Sequence, residues 1–253
     1  MRALMAIAWK DFKSLCTSPI FLIISGLFCS LLSFTYIRQI FDFAQRSSMM
    51  AQAGQNMNLH MTVFASHLSL VNLILLLAIP VFTMRALAEE KKMRTYDLLL
   101  TAPITATQIS VGKFLAVFGC GMILLLLAAL YPIGTALFAD FNWGPFITSF
   151  IGLALLMGIY IAIGLFASSV TSSVILAAFL GMVLILGFWF VGQGAGLSDD
   201  PFWSAFFEHV SVGQQFISFL RGTLKLSAVV YMVSTIVLFV FLTQRVVESS
   251  RWR

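Results

Sequence analysis

The sequence predicts an all-α membrane protein, with six transmembrane helices and an amphipathic helix at its N-terminus. Three observations carry this. Of the 253 residues, 60% are apolar and 10% charged, where an average soluble domain has about 25% charged residues. A soluble fold of this size must build a polar shell, which this composition cannot supply. The apolar residues also gather in six runs of about the 20 residues needed to cross a bilayer, without the alternation of barrel strands. The same features exclude a disordered chain, a coiled coil and an ordinary soluble enzyme.

Residues 1–18 are expected to form an interfacial helix. Met5, Trp9, Phe12 and Cys16 share one face with Leu4, Ala8 and Leu15, while Lys10, Lys13, Ser14 and Thr17 lie opposite. Such a helix turns its basic side to the headgroups, with Trp9 as anchor. It is either a passive anchor or a lever pushed by a cytoplasmic protein. Ser18-Pro19 then reads as the N-cap and first-turn proline of span one.

The spans are read at 20–40, 63–84, 114–138, 146–168, 174–191 and 226–243. The first is too long for a secretory leader and lacks a small-residue cleavage site, so it is expected to stay. Residues 169–173 leave room only for a tight hairpin. Ala154, Gly158 and Ala162 have small-xxx-small spacing, which suits close packing within the chain or with a second one. Pro80 and Pro132 are expected to kink their spans.

Basic residues set the orientation. Arg2, Lys10, Lys13, Arg85, Lys91, Lys92, Arg94, Lys113, Arg245, Arg251 and Arg253 fall on one side, against Arg38, Arg46, Arg221 and Lys225 on the other. Both termini are therefore expected in the cytoplasm.

Residues 85–112 form the longest inner loop. Glu90 and Arg94 stand at i, i+4, and Glu89 and Lys92 at i, i+3, the spacing of helical ion pairs. Leu98, Leu99 and Leu100 make an apolar patch, and Pro103 ends the helix. Thr105 and Gln108 have capping-box spacing, so a new helix starts there. The loop is either a docking knob or a solvated hairpin.

The outer segments differ. Residues 42–62 are polar and rich in Met, and His60 and His67 lack the partners of a metal site. Residues 192–225 open with glycines, continue through Asp199-Asp200-Pro201 as a helix start, and carry Phe202, Trp203, Phe206 and Phe207. They belong at the outer interface or re-enter the membrane, where their backbone has to be covered by protein.

Cys16, Cys29 and Cys120 form no CxxC pair and read as packing residues. The charges make no aromatic-interleaved basic patch, so nucleic acid is not expected as a partner. No Asp or Glu lies mid-span, which argues against ion coupling. No nucleotide-binding or catalytic motif appears. The chain is read as a non-enzyme with no metal or cofactor of its own.

The run Met84-Arg85-Ala86-Leu87-Ala88-Glu89-Glu90-Lys91-Lys92, then Thr95-Tyr96-Asp97-Leu98-Leu99-Leu100-Thr101-Ala102-Pro103-Ile104, then Gly112-Lys113-Phe114, resembles the ABC-2 type permeases. It is most similar to the gliding-motility-type branch, which includes the permease of nitrous-oxide-reductase maturation. Arg94 stands where the family usually has glycine, and Asp97 where it has glutamate. A continuous helix through Arg94 is therefore expected.

The resemblance implies a single transmembrane domain over 1–253, with an ABC-2, type V exporter-like fold. It implies a permease subunit of the bacterial inner membrane that exports a substrate. It pairs with a second permease chain, the same or a sister, and with two ABC ATPase subunits that hold ATP and Mg. It also implies coupling through Thr101, Pro103, Thr105 and Gln108, supported by Glu89, Glu90 and Arg94. The interfacial helix, with Trp9, Lys10 and Lys13, is the second contact. Spans two and five line the path, which makes Asn72 and Gln193 its candidates. Two alternatives remain at this point. One is an ATP-driven mechanical element with an outer accessory protein, as in a gliding or secretion machine. The other is an ion-coupled secondary transporter.

Overall fold

The computed structural model describes residues 2–52, 58–96, 101, 104–139, 141–192, 194 and 200–250, and every regular element among them is helical. Helices α1 (Arg2–Cys16) and α2 (Pro19–Gln52) precede one π turn (His60–Phe64) that runs into α3 (Ala65–Thr83). Then come α4 (Ala88–Lys92), α5 (Ala106–Thr135), α6 (Trp143–Val170) and α7 (Val174–Phe190). Helices α8 (Pro201–Val210), α9 (Val212–Leu220) and α10 (Leu226–Ser249) complete the described chain. Among the described residues, five segments, containing α2, α3, α5, α6 and α10, are long and apolar enough to cross a membrane. Helix α7 is the sixth apolar helix, with 17 residues, a rise of about 26 Å.

Local chemistry starts these helices where the sequence places them. Ser18 Oγ accepts from the Phe21 amide at the head of α2. The Thr105–Gln108 capping box is complete, with both bonds formed, at 3.2 and 3.1 Å. Asp200 Oδ1 caps α8, and Ser173 caps α7. Each cap satisfies amides that have no partner inside the helix.

Helix α6 is the axis of the bundle, packed against α3, α5, α7, α9 and α10. Its glycines set the approach distances. A Cβ on Gly158 would stand 2.8 Å from Ile236 of α10, so this small-residue position serves packing within the chain. Helix α2 lies outermost. It buries the stripe Phe21, Phe28, Leu32 and Tyr36 and exposes Leu22, Leu27, Leu31, Phe34 and Phe41, as a lipid-facing helix does. Both prolines sit inside unbroken helices. Pro132 has no N–H to give the Ala128 carbonyl, and His67 Nε2 donates to that carbonyl instead, at 3.1 Å.

The end of span one departs from the expectation. Helix α2 continues to Gln52, so residues 42–52 are helix rather than loop. At about 51 Å it exceeds the hydrocarbon core by about 20 Å. Helix α1 leaves Met5 and Trp9 exposed, both at 65%. Its inner stripe is Leu4, Ile7, Ala8, Asp11, Phe12, Leu15 and Cys16, laid along α5. Gly112 and Gly119 of α5 make room for it, since a Cβ there would meet Ile7 at 3.1 Å and Phe12 at 2.9 Å.

At the end far from α1, helix α9 is held by side chains of its neighbours. Ser149 and Thr148 of α6 donate to the Phe219 carbonyl, and His60 Nε2 donates to the Leu220 carbonyl at 2.9 Å. Phe219 sits on Gly152, where a Cβ would stand 2.5 Å away.

Candidate functional site

The end of the bundle that carries α1 also carries α4 and the start of α5, and a buried charge junction ties the three together. Lys113 of α5 is 2% exposed. Its ammonium donates to Glu90 Oε1 of α4 at 2.8 Å and to Asp11 Oδ2 of α1 at 3.1 Å. An ammonium in so dry a place has to be paired, and two carboxylates from two other elements pair it. The expected Glu90–Arg94 pair is therefore replaced by Glu90–Lys113. Glu89 pairs with Arg85, at 3.8 Å, rather than with Lys92.

Arg94 ends the helix instead of continuing it. Its φ is +56°, the left-handed conformation that closes helices. The Thr95 amide donates to the Glu90 carbonyl at 3.0 Å, and the Arg94 amide to the Lys91 carbonyl at 3.3 Å. That is the Schellman pattern, with arginine at the position glycine takes most readily. The continuous helix expected through Arg94 is thus wrong. Arg94→Gly is expected to raise stability by up to about 1 kcal/mol, the lower part of the cost of a left-handed non-glycine residue. Arg94→Val is expected to lower it. Thermal unfolding of the detergent-extracted chain checks both.

Helix α4 is fastened to α6 as well. The Leu87 and Ala88 amides donate to Ser168 Oγ at 3.1 and 3.0 Å, and that hydroxyl donates to the Met84 carbonyl. Lys91 Nζ donates to the Ser169 carbonyl and lies over the Tyr96 ring. A small apolar core of Leu87, Tyr96, Ala106, Ile109 and Val247 closes the junction, with Ile7 and Ile104 against it.

Trp9, Lys10, Lys13, Thr101 and Thr105 are exposed, and Gln108 is half-buried in its capping box. Pro103, Leu98–Leu100 and Gln193 lie outside the described residues. Asn72 is buried and accepts from Tyr160 at 3.0 Å. It also lines a cavity of about 490 Å³ between α3, α7 and α9, with Ser69, Leu76, Trp189 and Gln214.

Sequence reading did not single out Asp11 or Lys113 as functional. The signals were present. Asp11 is the one carboxylate of α1 and shares a stripe with Ala8, Phe12 and Leu15. Lys113 opens an apolar run, where a charge needs a partner.

The fold and this junction define a multi-pass integral membrane protein whose one end is stiffened by ion pairs. Comparison with protein families gives the kind. Residues 5–251 match the family described as ABC-2 family transporter protein. The chain belongs to that family, the membrane components of ABC transporters. Comparison with curated proteins finds no match.

Proposed function

We propose that this chain is the permease subunit of an exporter, driven by ATP hydrolysed on a separate ABC ATPase. The observation that carries the reading is the Lys113 junction. It joins α1, α4 and α5 so that force applied to the exposed surface at Lys10, Lys13, Thr101, Thr105 and Gln108 passes into α5 without loss in a loose loop. Glu89, Glu90 and Arg94 support that surface from behind: Arg94 turns the chain, and Glu90 binds it to α5. In this reading the basic end faces the cytoplasm of a bacterium, with both termini there, and ATP and Mg reside on the partner.

Two copies of the ATPase and a second permease chain, the same or a sister, complete the assembly. Helices α8 and α9 dip into the outer leaflet, a reading supported by the side-chain partners of the Phe219 and Leu220 carbonyls at the end of α9, since acceptors in lipid need partners within the protein. Asn72 and the cavity around it line the path. The gliding-motility-type resemblance leaves a mechanical role, with an outer accessory protein, as the second reading, and the projecting end of α2 favours it as a contact for such a protein.

The test is the co-purified complex in liposomes. Glu90→Lys is expected to leave insertion and ATPase association measurable while abolishing the coupling between ATP hydrolysis and the membrane chain. Wild-type coupling in that variant contradicts the assignment.

A further inference from the structure

A second cavity, of about 320 Å³, opens beside the charge junction where α1, the start of α2, the end of α3 and α4 meet α5. It has two kinds of wall. Leu15, Ile20, Phe82 and Val117 line one part, and Lys10, Arg85, Glu89 and Glu90 another. Ile20 is the second residue of α2 and Phe82 belongs to the last turn of α3. The apolar wall therefore lies at the rim of the hydrocarbon, and the charged wall just beyond it, at headgroup depth.

The charges are unevenly satisfied. Lys113 serves two carboxylates at once. Glu90 gives it only Oε1, and Glu90 Oε2 is buried with no hydrogen-bond partner. A buried carboxylate oxygen in that state calls for a donor. On the cationic side, Lys10 is exposed and Arg85 is only loosely paired, 3.8 Å from Glu89. Glu90 thus holds an unsatisfied acceptor beside the cavity, which a turn of its carboxylate brings to the opening, and the cavity itself offers two cations for an anion and an apolar slot running toward the bilayer.

We propose that this cavity binds an aminophospholipid of the surrounding leaflet. Its primary ammonium donates to Glu90 Oε2, its phosphate lies against Lys10 and Arg85, and an acyl chain follows Leu15, Phe82 and Val117. A side chain from a partner protein would use the acceptor but leave the apolar slot and the two cations unmatched. The lipid uses all three. Its headgroup would fill the space between α1 and α4, so the lipid composition of the leaflet sets how firmly the junction is held. The inference holds whether or not an ATPase docks beneath it.

The experiment compares headgroups on the full-length chain, extracted with its partners and stripped of lipid. Phosphatidylethanolamine, phosphatidylcholine and phosphatidylglycerol are titrated in turn, read by thermal unfolding and by the lipid retained in native mass spectrometry. Phosphatidylcholine keeps the phosphate and loses the N–H donors; phosphatidylglycerol keeps the phosphate and loses the cation. Phosphatidylethanolamine is expected to stabilise the chain at about tenfold lower concentration than either, the weight of one hydrogen bond to a charged group. Glu90→Gln is expected to remove that preference. Lys10→Ala, at an exposed site, is expected to weaken phosphatidylethanolamine and phosphatidylglycerol alike. Equal effects of the three lipids on the wild-type chain overturn the proposal, and that comparison needs no variant to fold. Retention of the preference in Glu90→Gln overturns it too. Loss of ATPase co-purification with headgroup preference intact would instead fault the coupling reading, so the two fail separately.

Discussion

Lys113→Ala is expected to loosen the whole basic end, at a cost of about 3 kcal/mol or more. The substitution removes the shared cation and leaves Asp11 and Glu90 facing each other, 19% and 22% exposed. Breaking a buried pair by deleting one partner costs about 3–5 kcal/mol, because the stranded charge keeps its desolvation penalty. Here two charges of one sign are stranded. Helix α1 loses its ion pair to α5 and is left with its apolar stripe and the sulfur contacts of Cys120 with Cys16 and the Phe12 carbonyl. Trypsin cleavage after Lys10 and Lys13 is the readout, and it should become much faster in the variant. The triple variant Asp11→Asn, Glu90→Gln, Lys113→Met removes the charges together and should recover most of the loss, since neutral isosteres escape the penalty. If Lys113→Ala alone matches the wild type in protection and thermal stability, the junction carries no structural weight.

Gly164→Val is expected to be the second large effect, again about 3 kcal/mol. Three helices meet at this glycine. A Cβ there would stand 2.2 Å from Thr83 Oγ1 and 2.9 Å from Thr83 Cβ, in α3. On the other side, a Cβ on Gly181 of α7 would stand 3.5 Å from the Gly164 Cα. Thr83 is 1% exposed and its hydroxyl already bonds to the Ile79 carbonyl, so it has nowhere to turn. The clash has to be met by moving α3 off α6, which also strains the nearby Met84–Ser168 tie. Overpacking in a filled core costs about 1–3 kcal/mol and at times more, and a β-branched side chain against the buried, β-branched Thr83 belongs at the upper end. Gly187, with open space around its missing Cβ, supplies the control. Gly187→Ala should be neutral or slightly stabilising through helix propensity. Unfolding of both variants in the same detergent tests the contrast.

The parts of the fold that were legible in the sequence are those decided locally. The apolar runs gave the six hydrophobic helices, because crossing lipid requires unbroken apolar length. Ser18, Thr105 and Asp200 marked helix starts correctly, since a cap is made within three residues. What stayed hidden depends on partners distant in the chain. Residues 42–52 read as a loop because Asp42, Arg46 and the serines are polar, yet a polar stretch continues a helix readily once the preceding turns are formed. The face of α1 that packs on the bundle was not legible from periodicity, because the glycines that receive it stand more than a hundred residues later, at Gly112 and Gly119.

The site divides the same way. The loop motif pointed to Glu90 and Arg94, and both matter in the geometry, though for other reasons. Helical spacing suggested they pair with each other. Instead Arg94 adopts a left-handed turn that ends the helix, and Glu90 reaches Lys113. Spacing along one helix could not reveal a junction made by three elements. The bond between Asn72 and Tyr160 on separate apolar helices was hidden for the same reason.

In the proposed function, the surface at α1 and the start of α5 receives an ATPase. The most direct measurement places a photo-crosslinking residue at Thr105, which is exposed beside the capping box, in the full chain in its native membranes. After illumination, the crosslinked band is identified by mass spectrometry. A stoichiometric adduct with a protein that carries a Walker motif is expected, absent when the probe is moved to the lipid-facing Leu27. Illumination that yields only lipid or no nucleotide-binding partner at Thr105 would contradict it.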